Sequence, residues 1–214
     1  MTSSFPTQFR HLAAECPFDV DPTLAGSLGA YRDLLVEWNS RINLIRFTDD
    51  THLIARHLLD SLAGVGVIDE ELARMGVAAA DVRLLDIGSG AGLPGLVLAI
   101  ARPAWRVTLV ESVGKKTSFL HSARRALSLE KLEVVNGRVE TLPPASFDVV
   151  TGRAVAKPPA FLELARPMAR PEGRVIAWLS AEDAAALPPH AIERTLDYTL
   201  PGDDVRRCVA VIRP

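Results

Sequence analysis

Leu84-Leu85-Asp86-Ile87-Gly88-Ser89-Gly90-Ala91-Gly92-Leu93-Pro94-Gly95 is the stretch that decides the fold. Two apolar residues, an acid, another apolar residue and then four glycines in eight positions read as a buried β-strand running into a tight turn. Side chains there would hold a bound molecule away, whereas glycine lets the main chain approach it closely. Pro94 is expected in the first turn of the helix that follows, where its missing N–H is no loss. The unpaired N–H groups of that helix would then face the ligand. Four glycines raise the chain entropy lost on folding, which an ordinary strand-to-helix turn does not require. The turn therefore reads as a cradle for a nucleotide-like ligand.

Gly90-x-Gly92-x-x-Gly95 also satisfies the dinucleotide fingerprint. Glu111 follows at about the 20-residue interval where a ribose-binding acid is expected. Asp86 and Gly88 extend the pattern to apolar-Asp-apolar-Gly-x-Gly-x-Gly, which resembles motif I of class I S-adenosylmethionine-dependent methyltransferases. An NAD-dependent oxidoreductase is the alternative on the shared fingerprint.

At 214 residues, 48% hydrophobic and 23% charged, the chain can fill one α/β domain with an extension. Cys16 and Cys208 form neither a disulfide framework nor a metal-ligand pattern, so a reducing compartment and no metal are expected. Met1-Thr2-Ser3-Ser4-Phe5-Pro6 has no basic region followed by an apolar run, and no long uninterrupted apolar stretch occurs elsewhere. A cytoplasmic protein with no membrane partner is expected. A net charge of −2 offers no global attraction to nucleic acid, so any attraction must be local. Arg102, Arg106, Lys115, Lys116, Arg124, Arg125, Lys131 and Arg138 face Glu111, Glu130 and Glu133 within residues 101–138, a surplus of five positive charges. Such a run is as readily a solvated helix face as a binding surface, and its place beside the glycine turn favours binding.

Leu24, Leu28, Tyr31, Leu35 and Trp38 recur at helical spacing, which predicts an amphipathic helix over 24–38. A second helix is expected from the N-cap candidates Asp49-Asp50-Thr51 through Leu62. Residues 69–80 look like a short helix or linker. Strand-like segments at 83–88, 106–111, 132–136, 147–152 and 173–179 then alternate with helical ones, the mark of βαβ units and a parallel sheet. Two last strands, 194–200 and 207–213, are joined by Pro201-Gly202-Asp203-Asp204 as a hairpin. The expected fold is an α/β three-layer sandwich of the class I methyltransferase, Rossmann-like type. Its sheet has seven strands, mostly parallel, with an antiparallel C-terminal hairpin. Residues 1–80 form a helical extension packed on a core domain of residues 81–214.

Ligands of open parallel sheets sit beyond the C-terminal strand ends, near the switch in strand order. Gly88, Gly90, Gly92 and Leu93 follow the first strand. Glu111 ends the second, where its carboxylate could accept both ribose hydroxyl protons. Asn136-Gly137-Arg138-Val139-Glu140 places polar groups where an adenine edge would lie, or is a loop capped by Asn136. Arg153, after the fourth strand, could grip the methionine carboxylate or a substrate phosphate through two hydrogen bonds. His57, beside Arg56 and near Asp60, is favoured as a helix histidine fixing the helices against the sheet rather than as an acid–base group.

Methyltransferases acting on exocyclic amines commonly carry Asn or Asp, then Pro-Pro and an aromatic, after the fourth strand; Lys157-Pro158-Pro159-Ala160 lacks both acceptor and ring. Carbon methylation needs a nucleophilic cysteine near the cofactor, and neither cysteine is placed for that. What remains is an acceptor already nucleophilic at neutral pH, such as a ring nitrogen with a free lone pair. No general base is then required, and no catalytic side chain is assigned. Holding the two atoms at near-attack distance in a dry site supplies the rate.

Trp38-Asn39, Asn43-Leu44, Arg56-His57-Leu58-Leu59-Asp60-Ser61-Leu62, Asp86 through Gly95, Ser112-Val113-Gly114-Lys115-Lys116, Arg138-Val139-Glu140 and Arg153-Ala154 occur in an order that resembles one family. It is the bacterial small-subunit ribosomal RNA methyltransferase family RsmG, also called GidB. The resemblance implies that S-adenosylmethionine is used to make 7-methylguanosine in the 530 loop of 16S rRNA, leaving S-adenosylhomocysteine. By matching motif positions, Gly88, Leu93, Glu111, Val139, Glu140 and Arg153 would contact the cofactor. Lys115, Lys116, Arg124, Arg125 and Lys157 are the candidates to face RNA. The expected partner is 16S rRNA or the small ribosomal subunit, with no DNA, and the enzyme is expected to be a monomer. Two positions depart from the family: Trp178-Leu179-Ser180 stands where Lys-Gly is usual after the fifth strand, and Ile45 where a Thr usually follows Asn43-Leu44. An RNA-binding assembly factor without turnover is the third reading, and it gives no physical reason for so many glycines in the turn.

Overall fold

Asp86 is fully buried because its strand runs through the middle of a sheet covered on both faces. The computed structural model describes residues 4–214, without the Pro189 side chain, so Met1–Ser3 of the expected leaderless start lie outside the described residues. The strands are β1 Arg83–Ile87, β2 Arg106–Glu111, β3 Leu132–Asn136, β4 Phe147–Gly152, β5 Ala169–Ser180, β6 Ile192–Leu200 and β7 Asp203–Ile212. They form one sheet in the order β3-β2-β1-β4-β5-β7-β6. The first five are parallel, and β7 runs antiparallel between β5 and β6. This is the expected parallel core closed by a hairpin. Two boundaries differ: β5 begins at Ala169 rather than near Gly173, and the hairpin turn is only Pro201-Gly202, because Asp203 and Asp204 already belong to β7. Gly202, at φ +70°, supplies the left-handed residue that so short a turn needs.

Successive strand residues point to opposite faces. Leu84, Leu109, Val149, Ile176 and Val209 face one apolar cluster with α1 Phe5–Ala14, α2 Ala25–Asn39, α3 Asp50–Leu53, α4 Asp60–Met75, α5 Gly95–Ala101 and α6 Gly114–Ala126. Leu85, Ile87, Val150 and Val175 face the other, under α7 Pro158–Ala165. A short α8, Ala181–Ala185, follows β5. All seven residues of α5 are buried, so its sequence is apolar all round rather than amphipathic.

Asp49 caps α3 as expected, its Oδ1 accepting from the His52 N–H at 2.8 Å. The helix then passes through a π-helical turn, Ile54–Leu59, into α4, which closes on Gly76 at φ +68°. Most of the segment expected as a short helix or linker is therefore the end of α4. Its acids disguise a packed face: Glu71 is buried, accepting from Arg174 Nε at 3.0 Å and Arg194 Nε at 2.9 Å. Helix α1 falls in the helical extension expected over residues 1–80, although no periodicity singled it out, and its Phe9 is 0% exposed in the same cluster as the sheet. No helix among the described residues is long and apolar enough to cross a membrane.

Candidate active site

Strand β1 delivers Asp86 between Leu109 of β2 and Thr151 of β4, where the strand order turns back on itself. An open parallel sheet has its crevice there. The glycine turn beyond it is tied internally: the Gly92 and Leu93 N–H groups donate to the Ser89 carbonyl at 2.6 and 3.1 Å. Gly88 adopts φ +63°, and a Cβ on it would come within 3.1 Å of Val155. At Gly95 a Cβ would lie 2.4 Å from Leu109 and 2.6 Å from Asp86, so only glycine lets α5 close on β1.

The helix start differs from expectation. Pro94 is the N-cap residue, just outside α5. The Gly95 N–H turns inward to Asp86 Oδ2 at 3.2 Å and the Leu96 N–H to the Gly92 carbonyl at 2.8 Å. A helix buried on every side must satisfy its first donors within the protein, so these two do not face a ligand.

Burial pushes the Asp86 carboxyl up to about 7. Among the described residues its Oδ1 has no partner, and neither has Thr151 Oγ1, buried on the adjacent strand. An open acceptor in so dry a place suits a ligand that brings N–H donors, such as an ammonium group. Glu111 is buried at the end of β2. Its Oε2 accepts from the Gly90 N–H at 2.9 Å and its Oε1 from the Val113 N–H at 2.8 Å. Each oxygen keeps acceptor capacity for a hydroxyl, so the carboxylate both shapes the turn and suits a ribose. Asn136 Nδ2 donates to the Glu111 carbonyl at 3.0 Å and Thr117 Oγ1 at 2.9 Å, the arrangement of a loop cap. Val139, buried, and Glu140, exposed, begin a short 3-10 turn beyond it.

Tyr31 is a site residue that sequence reasoning read only as core. From α2, with no exposure, its hydroxyl donates to the Ala91 carbonyl of the glycine turn at 2.6 Å. Periodicity marked it as buried, but nothing in one sequence marks which carbonyl it reaches.

Arg153 stands just past β4, with its guanidinium turned toward the helices. Nη1 donates to Asp60 Oδ2 at 2.6 Å, and Nη2 lies 3.3 Å from His57 Nδ1. His57 Nε2 lies 3.1 Å from the Arg46 carbonyl, which requires the proton on Nε2 and leaves Nδ1 as an acceptor. Burial and the Arg153 charge lower the His57 pKa to about 4, so the ring is neutral. It joins helix to strand, as favoured from the sequence. Trp178, at the position where the resemblance led to an expected lysine and glycine, donates from Nε1 to the Asp60 carbonyl at 2.7 Å. Its ring fills the space over Gly64, where a Cβ would lie 2.2 Å away.

The basic surplus is not one patch. Lys115 lies in the first turn of α6 at the crevice edge, with Lys116 next to it, and Arg138 and Lys157 follow β3 and β4 on the same edge. Arg102, Arg106 and Lys131 lie at the opposite strand ends, and so do Arg124 and Arg125, in the last turn of α6. The latter pair, expected to face RNA with the lysines, is nine residues further along, about 14 Å at helical rise. There the two suit the negative end of the helix dipole.

A family model described as GidB, rRNA small subunit methyltransferase G, matches residues 25–198. The chain is 42% identical over 191 residues to ribosomal RNA small subunit methyltransferase G of Burkholderia mallei (strain NCTC 10229), covering 85% of this chain and 80% of that protein. The same figures hold for the protein of that name in Burkholderia pseudomallei (strain K96243). Among solved structures, a predicted O-methyltransferase of Agrobacterium tumefaciens is similar with a TM-score of 0.51 at 24% identity, over 64% of this chain and 74% of that one. A precorrin-6y C5,15-methyltransferase of Geobacter metallireducens scores 0.51 at 12% identity, over 70% and 88%. These two share the fold, while the glycine turn, the Arg-His-x-x-Asp-Ser motif and the identity over most of the length go further: the chain belongs to the GidB family of small-subunit rRNA methyltransferases, and is a methyltransferase.

Proposed function

We propose that the enzyme methylates N7 of a guanine in the 530 loop of 16S rRNA, within the small ribosomal subunit or a precursor of it. S-adenosylmethionine, when bound, supplies an electrophilic methyl group on a sulfonium and leaves as S-adenosylhomocysteine. Asp86 Oδ1, buried under a glycine cradle with no partner among the described residues, supports that ligand. Asp86 suits its ammonium group, Glu111 its ribose hydroxyls, Gly88, Gly90, Gly92 and Leu93 its close passage over the turn, Val139 and Glu140 its adenine, and Arg153 an anionic oxygen.

One observation bears on the choice of acceptor: the histidine beside Arg153 has both ring nitrogens engaged. His57 spends Nδ1 on Arg153 and Nε2 on the Arg46 carbonyl, and Asp60 is bound to Arg153 and Tyr198. Guanine N7 carries a lone pair and no proton, so attack on the methyl group needs no proton removed. With the cofactor bound, the N7–CH3 bond would form as the S–CH3 bond breaks, and positive charge would pass from sulfur to the purine. The protein's part is to align the two and exclude water. Lys115, Lys116, Arg138 and Lys157 border the crevice and suit RNA phosphates.

The test is methyl transfer from labelled S-adenosylmethionine to unmodified small subunits and to protein-free 16S rRNA, with mass spectrometry of the digested nucleosides. Label in 7-methylguanosine is the expected result. Cofactor binding without transfer to either RNA would overturn the acceptor, and absence of cofactor binding would overturn the ligand.

A further inference from the structure

Three acceptors of one helical turn converge on a single guanidinium. Arg153 Nη1 donates to Asp60 Oδ2 at 2.6 Å and, more weakly, to the Arg56 carbonyl at 3.4 Å; Nη2 meets His57 Nδ1 at 3.3 Å. Arg56 and His57 lie in the π-helical turn, and Asp60 directly follows it. Such widened turns recur at functional sites. Asp60 cannot swing away, since its Oδ1 accepts from Tyr198 Oη at 2.7 Å and its carbonyl from Trp178 Nε1 at 2.7 Å. A guanidinium has five N–H donors in a rigid plane. Three are held by the turn, which leaves Nε–H and one Nη2–H, on the two nitrogens of one side of the fork, without a partner among the described residues. Two such donors bind a carboxylate or phosphate together.

We propose that Asp60 and His57 are positioning residues, which clasp one side of Arg153 so that its Nε/Nη2 side is presented at the crevice to an anionic oxygen. The inference rests on the reading above that Arg153 contacts a ligand. That oxygen belongs to the cofactor's methionine carboxylate or to an RNA phosphate, and the two are told apart by which constant moves.

The test compares Asp60→Asn, His57→Ala, Arg153→Ala and the double variant Asp60→Asn/Arg153→Ala. Titration of the full chain with S-adenosylhomocysteine gives Kd, and methyl transfer to small subunits gives KM. Asp60→Asn removes the charge and keeps the shape; it is expected to weaken one constant about tenfold, with His57→Ala weakening the same one less. A raised Kd identifies the carboxylate, a raised KM the phosphate. The double variant is expected to be no worse than Arg153→Ala. Glu71→Gln breaks a comparable buried ion pair at the far end of α4, and is expected to lower Tm with Kd and KM unchanged, which separates positioning from folding. Losses that add in the double variant, or Asp60→Asn and His57→Ala with both constants unchanged while Arg153→Ala is impaired, would overturn the clasp. Unchanged constants in Arg153→Ala would instead overturn the ligand contact itself. If Asp60→Asn does not fold, His57→Ala and its double variant with Arg153→Ala decide by the same rule.

Discussion

Asp86 makes the enzyme's stability depend on pH in a way that one atom can remove. Its side chain is 0% exposed, and burial raises its pKa from 3.8 to about 7. The folded state therefore holds a proton that the unfolded chain has released between those values, and stability from this group is full below 3.8 and lost as pH rises to 7. The loss is about 1.4 kcal/mol per pH unit, roughly 4 kcal/mol across the window. Asp86→Asn keeps an oxygen for the Gly95 N–H and has no charge to bury. Its unfolding free energy minus that of the natural chain should climb by about 4 kcal/mol from pH 4 to pH 7 and then level off, about 10 °C in Tm at this chain length. Denaturant unfolding of both proteins at intervals from pH 4 to pH 9 measures it. A difference independent of pH would refute the reasoning. If the open Oδ1 serves the cofactor's ammonium group, the stabilised variant should also bind S-adenosylhomocysteine more weakly.

Tyr31→Phe removes the hydroxyl that holds the Ala91 carbonyl; losing one buried hydrogen bond costs about 1–3 kcal/mol, so calorimetry should show a lower Tm and weaker S-adenosylhomocysteine binding together. Gly64→Ala places a Cβ 2.2 Å from the Trp178 ring, and overpacking of this kind costs about 1–3 kcal/mol, read as a lower Tm with altered tryptophan fluorescence. The folded His57 pKa, lowered from 6.5 to about 4, makes its contribution full above 6.5 and lost as pH falls toward 4; His57→Gln should flatten that acid limb of the stability profile. Charge reversal of Lys115 and Lys116 should weaken RNA binding, reduce its salt slope by about 2, and leave cofactor affinity unchanged, as filter binding at several salt concentrations would show.

The strands were legible because a buried parallel strand is a short apolar run between turn signals, and the hairpin because Pro201-Gly202 interrupts two such runs. The glycine turn was legible for the same local reason: the need for bare main chain is written in consecutive residues, and Glu111 stands one βα unit away. Helix α4 was less legible, since its buried Glu71 reads as a solvated acid until Arg174 and Arg194, 103 and 123 residues on, are folded against it. The inward turn of the α5 amides was hidden too, because only packing shows that this helix is covered on every side.

What the sequence determined by itself is the parallel sheet, the crevice and the class of ligand, because these follow from residue types at fixed short spacing. What only the tertiary structure decided is which charges share the crevice and which way they point. Arg124 and Arg125 leave it because α6 carries them to its far end. Tyr31 enters it from 60 residues before Ala91, and Asp60 takes Arg153 from 93 residues away. Those pairings depend on how helices settle on the sheet through a shared apolar cluster, and burial does not specify partners until the chain has closed.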